Sequence, residues 1–218
     1  MKTKENRLLI RGLLLILIFA VWTVLIMTVD VKPIGQNGTD VGFSVLNTWF
    51  HKLTGVNMML YNITDWLGFV PVFICMGFAG LGFFQLIKRK SLLRVDGDII
   101  LLGIYFITVI FFYLIFEEFP INYRPILIEG RMEASYPSST TLLVLSVMPV
   151  FSFQAEIRIK KEAVKKLIRI FVITFSLFMV IGRLVSGVHW LTDIIGSLFI
   201  SAGLYFIYNS LALRVRKK

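Results

Sequence analysis

Residues 12–29 read GLLLILIFAVWTVLIMTV, eighteen consecutive residues without a charged side chain. A run of this length approaches the roughly 20 residues that an α-helix needs to cross a bilayer core, and it exceeds the ~7–15 apolar residues of a cleavable signal sequence. No small-x-small cleavage pattern follows it, so the run is expected to remain as a membrane helix. Five further apolar runs lie outward along the chain, at 66–87, 99–116, 138–155, 168–187 and 190–213. The 218 residues are 57% hydrophobic with a mean hydropathy of +0.81, and only 17% are charged. Soluble domains carry about 25% charged residues, which excludes that class. The expected fold is all-α: a polytopic membrane protein with six transmembrane helices forming a single domain over 1–218. The lone Cys75 excludes an internal disulfide and reads as a small core residue.

Charge placement orients the spans. Lys2, Lys4, Arg7 and Arg11 precede the first, and Lys88, Arg89, Lys90 and Arg94 follow the second. Arg158, Lys160, Lys161, Lys165, Lys166 and Arg169 join the fourth to the fifth, and Arg214, Arg216, Lys217 and Lys218 close the chain. With six spans these clusters share one side and hold 18 of the 23 basic residues. Basic loops stay cytoplasmic, so both termini are expected inside, in a multi-pass protein of the cell membrane. The net charge of +10 is then a topology signal, with anionic membrane lipid rather than nucleic acid as the partner.

The other five basic residues are Lys32, Lys52, Arg124, Arg131 and Arg183, all assigned to the outer side or its interface. Three polar stretches converge there. In GRLVSGVHWLTD (182–193), His189 and Asp193 stand four apart at a helix start and share a face. A carboxylate beside an imidazole fixes its tautomer and leaves the other ring nitrogen as nucleophile or proton carrier. Arg183 lies just before, and an arginine at membrane depth faces a polar cavity. Arg124-Pro125 supplies a second fork-shaped cation suited to phosphate oxygens. YPSSTT (136–141) begins a helix with hydroxyls on its first turn, where free N–H groups favour an anion. Taken singly, these features also serve as a helix cap, an interfacial anchor or a polar clamp; together they describe a phosphate site. His51 reads as a surface or interfacial histidine of the outer loop.

The sequence resembles the type 2 phosphatidic acid phosphatase superfamily of integral membrane lipid phosphatases. That family carries K-x6-R-P, P-S-G-H and S-R-x5-H-x3-D. The third motif is kept as Arg183, His189 and Asp193, with Gly182 in place of serine. The first keeps Arg124-Pro125 but has Glu117 for lysine. The second keeps Pro137-Ser138, then has Ser139 for glycine and Thr140 for histidine. The resemblance implies His189 as a nucleophile forming a phosphohistidine, oriented by Asp193. It implies a phosphate held by Arg124, Arg183, Ser138, Ser139 and Thr140, at the extracytoplasmic face. No carboxylate cluster demands a metal, and no cofactor is implied. Thr140 lacks the proton-donating capacity of the family's histidine, and Glu117 repels phosphate unless Arg131 or Lys52 pairs with it. Glu118, Glu129, Glu133 and Tyr136 are nearby in sequence as substitute proton donors. Two readings follow: a lipid phosphatase or diphosphatase, with diphosphates as the favoured substrate class, or an impaired relative that binds phospholipid or isoprenoid phosphate without hydrolysis.

Overall fold

The computed structural model describes residues 2–216. Its helices are Lys2–Thr28 (α1), Ser44–Thr54 (α2), Met58–Leu67 (α3), Phe69–Arg89 (α4), Gly97–Glu118 (α5), Ser139–Arg158 (α6), Glu162–Val185 (α7) and Leu191–Val215 (α8). Six segments are long and apolar enough to cross a membrane: Lys4–Thr28, Met58–Arg89, Gly97–Glu118, Ser139–Arg158, Glu162–Val185 and Leu191–Val215. The chain is a multi-pass, all-helical membrane protein, and the described residues contain only isolated β-bridges beside the helices.

The second span departs from expectation. It begins at Met58 rather than near 66, because α3 and α4 are joined at Gly68, whose backbone is itself helical. Asn62, Thr64 and Asp65 interrupt the apolar pattern and made this stretch read as loop. In the fold, Thr64 is fully buried and Asp65 pairs with a cation on another helix. The outer loop expected over 30–65 instead holds α2 and α3.

The central helix is α8, packed against α1, α5, α6 and, more lightly, α2 and α7. Contact with α1 is close because both helices place glycine at the crossing. A Cβ on Gly12 would lie 2.9 Å from the Gly203 carbonyl oxygen, and one on Gly203 would lie 3.2 Å from that of Gly12. Gly196, farther up α8, makes room for the Tyr136 ring, whose hydroxyl meets Thr23 at 2.7 Å. That contact pins the segment before α6 onto α1 and α8. The core around these crossings includes Leu102, Tyr105, Leu142, Val150, Ile200 and Tyr208.

Both chain ends meet at one end of the bundle, where Ser210 donates to the Glu5 carbonyl and Arg214 to Asn6. The same end carries the Arg89–Asp96 pair at 2.7 Å and the Arg158–Asp98 pair at 2.9 Å. Lys217 and Lys218 of the terminal basic cluster lie outside the described residues. Arg131 and Ala163, both exposed, lie at opposite ends. If the basic end is cytoplasmic, an impermeant thiol reagent applied to intact cells labels Arg131→Cys and spares Ala163→Cys, each in a Cys75→Ala background. The reverse pattern overturns the orientation.

Candidate active site

His189 sits in the short connection between α7 and α8. The turn into it uses Gly187 at φ +68°, where a Cβ would collide with the Gly55 carbonyl at 1.9 Å. Asp193 is the third residue of α8, and its carboxylate accepts the Trp190 N–H at 2.9 Å, closing the helix start. It also accepts from Asn122 Nδ2 at 3.1 Å and from Ser135 Oγ at 2.5 Å. The expected direct bond from His189 to Asp193 is not made, since the two approach only to 3.7 Å. Ser135 stands between them, because the cap and Asn122 hold the carboxylate to its own helix start. His189 Nδ1 lies 3.1 Å from the Ser135 carbonyl oxygen and 3.1 Å from Ser135 Oγ. A carbonyl only accepts, so Nδ1 carries the proton and Nε2 presents its lone pair. Nε2 is buried with no partner. Burial, and then the charges of Arg124 and Arg183, push the imidazole well below the usual histidine range.

Arg183 and Arg124 flank one ring. Their guanidinium carbons lie 4.8 Å and 5.8 Å from the centroid of Tyr61 on α3. Arg183 Nη2 contacts Asp65 at 2.9 Å and also donates to Thr140 Oγ1. Arg124 Nη2 pairs with Glu133 at 3.1 Å. Nε and Nη1 of both arginines are buried without partners. Arg124 owes its position to a hairpin-like loop: its N–H donates to the Glu133 carbonyl, Ser135 N–H donates to Asn122, and Glu129-Gly130 turn with positive φ. A polar outer cavity lined by all of these groups was expected. Instead Arg183, His189 and Arg124 are only 1%, 3% and 8% exposed, and Asp65 and Glu133 pair with the two guanidinium charges.

The start of α6 is divided. Ser138 is fully buried and donates to Thr141. Ser139 and Thr140 are half-buried and line a groove of about 540 Å³ between α4, α5 and α6. Asp65 and Thr140 mark the polar part of this groove, and Val72, Phe106, Val109, Ile110 and Leu143 belong to its apolar body. Glu117 lies near Tyr113, Tyr136 and Ser139 and pairs with neither Arg131 nor Lys52. Glu133, considered as a proton donor, is the partner of Arg124. His51 stacks obliquely on Trp190 at 5.7 Å, beside the site and half-buried; burial lowers its pKa.

Tyr61, Asp65, Asn122 and Ser135 were not found by reading the sequence. None belongs to a periodic pattern or a recognised spacing. Asp65 carried the one available signal, as a lone carboxylate at the edge of an apolar run.

No curated protein matches the chain. The crystal structure titled "first transmembrane PAP2 type phosphatidylglycerolphosphate phosphatase" from Bacillus subtilis superposes with a TM-score of 0.64 at 19% identity, over 95% of this chain and 98% of that one. At that identity the likeness is one of fold. A profile of the PAP2 superfamily matches residues 72–216, which contain both arginines, the start of α6, and His189 with Asp193. With two thirds of its length matched, including the span that builds this site, the chain belongs to the PAP2 superfamily.

Proposed function

We propose that the protein is a membrane lipid phosphatase that transfers a phosphoryl group from a lipid-linked phosphate or diphosphate to His189. The observation that carries this is the group of five buried, unpartnered nitrogens: Nε and Nη1 of Arg124, Nε and Nη1 of Arg183, and Nε2 of His189. The four guanidinium nitrogens are buried donors without partners, which is costly, and a tetrahedral anion supplies the missing acceptors, while Nε2 keeps a free lone pair for attack. In the transfer, the Nε2 lone pair attacks phosphorus, the bond to the leaving oxygen breaks, and the arginines hold the equatorial oxygens. Water then attacks the phosphohistidine, the P–N bond breaks, and the electron pair returns to Nε2. Asp193 acts through Ser135 to hold the ring. Ser139 and Thr140, on the first turn of α6, lie where free backbone N–H groups assist an anion. The apolar groove behind Thr140 suits a lipid tail, and the basic opposite end supports an extracytoplasmic site.

Thr140 supports a preference for diphosphates. A monophosphate must expel a strongly basic alkoxide, whereas a diphosphate expels a lipid phosphate whose second pKa is near ~6. Loss of a general acid costs ~10²–10⁴ in rate where one is needed. Phosphate release from purified protein, measured as kcat/KM on an isoprenoid diphosphate and on phosphatidic acid, is expected to favour the diphosphate. Thr140→His is expected to raise monophosphate turnover ~10²-fold and to change diphosphate turnover far less. The groove beside Thr140 has room for the ring. Equal or greater wild-type activity on the monophosphate defeats the preference.

The second reading, a relative that binds lipid phosphate without hydrolysis, draws on the same threonine and on Glu117. It is the correct one if neither substrate releases phosphate above a protein-free control while lipid diphosphate still binds.

A further inference from the structure

We infer that Asp65 is the general base for the second half-reaction, accepting the proton of the water that hydrolyses the phosphohistidine. This rests on the phosphatase reading of the site. Hydrolysis of the intermediate needs an acceptor for a water proton even when the first step needs no acid, and Thr140 cannot serve. The other carboxylates are engaged or misplaced. Asp193 accepts from Trp190, Ser135 and Asn122 and is fully buried. Glu133 pairs with Arg124 and does not share the groove lined by Asp65 and Thr140, and Glu117 lies on the side of Tyr113 and Tyr136.

Asp65 differs in three ways. Its Oδ1 contacts Nη2 of Arg183, the same nitrogen that reaches Thr140, so it stands beside the position where the family pattern has histidine. Its side chain is 53% exposed and lines the groove beside Thr140, whereas that of Asp193 is fully buried. Arg183 keeps Nε and Nη1 free, so a phosphoryl group binds without displacing the carboxylate.

The local packing ties Asp65 to one departure from the motifs. A Cβ on Gly182 would lie 2.6 Å from Thr64 Cγ2, so a serine there would drive α3 away from α7. Glycine at 182 therefore accommodates the segment that delivers the carboxylate. Asp65 also precedes residues 72–216, the part of the chain matched to the family.

In the proposed step a water O–H bond breaks and its proton passes to the Asp65 carboxylate. The water oxygen bonds to phosphorus, the P–N bond breaks, and its electron pair returns to His189 Nε2. Phosphate leaves, and Asp65 gives its proton to solvent.

The test is single-turnover rapid quench on the full-length protein with farnesyl diphosphate labelled in its terminal phosphate. Asp65→Asn is expected to form labelled phosphohistidine near the wild-type rate and to lose it ~10²-fold more slowly. Hydroxylamine, a neutral nucleophile that needs no deprotonation, is expected to restore its breakdown. Asp65→Glu keeps a carboxylate facing Arg183 and is expected to decay within ~10-fold of wild type. This variant decides the matter if the asparagine variant does not fold. Decay of the asparagine intermediate at the wild-type rate overturns the assignment, as does a glutamate variant as slow as expected for asparagine. A folded Asp65→Asn protein that forms no phosphohistidine also overturns it, since a base for the second step is dispensable in the first. Absence of phosphohistidine in the wild type, with phosphate still released, instead removes the covalent mechanism on which the inference stands.

Discussion

Replacing His189 with alanine is expected to reduce phosphate release to the level of the protein-free control, a loss on the order of 10⁶-fold if the nucleophile acts as such groups do elsewhere. The imidazole is held by its Nδ1 proton, which faces two oxygens of Ser135, so only Nε2 is available for attack. Ser135→Ala removes the hydroxyl that links the ring to Asp193 but leaves the carbonyl contact, so a smaller loss is expected. The pH profile gives a second readout. Burial and two guanidinium charges hold the imidazole well below its ordinary range, so it stays neutral into mild acid. The acid limb of kcat/KM is therefore expected below the unperturbed value near ~6.5. Arg124→Met removes one of the two charges and is expected to move that limb upward. A His189→Ala protein that still turns over at a rate near wild type would falsify the nucleophile assignment.

Arg183→Ala is expected to lower kcat/KM ~10³-fold, the scale on which an arginine stabilises a transferring phosphoryl group. Arg183 is buried against Tyr61 and contacts both Asp65 and Thr140. One planar fork makes these contacts and still offers two nitrogens to the ligand. Arg183→Lys is expected to recover little, because an ammonium cannot span the same partners. The fold is expected to survive the alanine change. The residue removed is a fully buried cation, and the partner left behind, Asp65, is half-exposed and can be hydrated. Thermal unfolding of the purified variant checks that point, and activity within ~10-fold of wild type would remove Arg183 from the phosphate site.

The residues of the site differ in how visible they were in the chain. His189, Asp193 and Arg183 stand within eleven positions of one another, and their spacing across one helix-to-helix connection carries chemical meaning without a structure. Arg124 was visible as a cation where the topology allows few. Their partners were not visible. Asp65 meets Arg183 across 118 positions, and Asn122 meets Asp193 across 71. Ser135 was hidden for another reason: a serine in a polar loop has many uses, and only the folding back of residues 122–135 inserts it between imidazole and carboxylate.

By itself the sequence determined the six helical spans, because an apolar run long enough to cross a bilayer must satisfy its backbone internally, which is a local property. It also determined the divergence at positions 117, 139, 140 and 182 from the motifs the chain otherwise keeps. Only the tertiary structure decided that α3 extends the second span, that Tyr61 gathers both arginines, and that Asp65 and Glu133 neutralise them. Charges buried at membrane depth must be paired. Which carboxylate pairs with which guanidinium depends on close approaches such as that of α3 to Gly182, and such contacts leave no periodic mark in the chain.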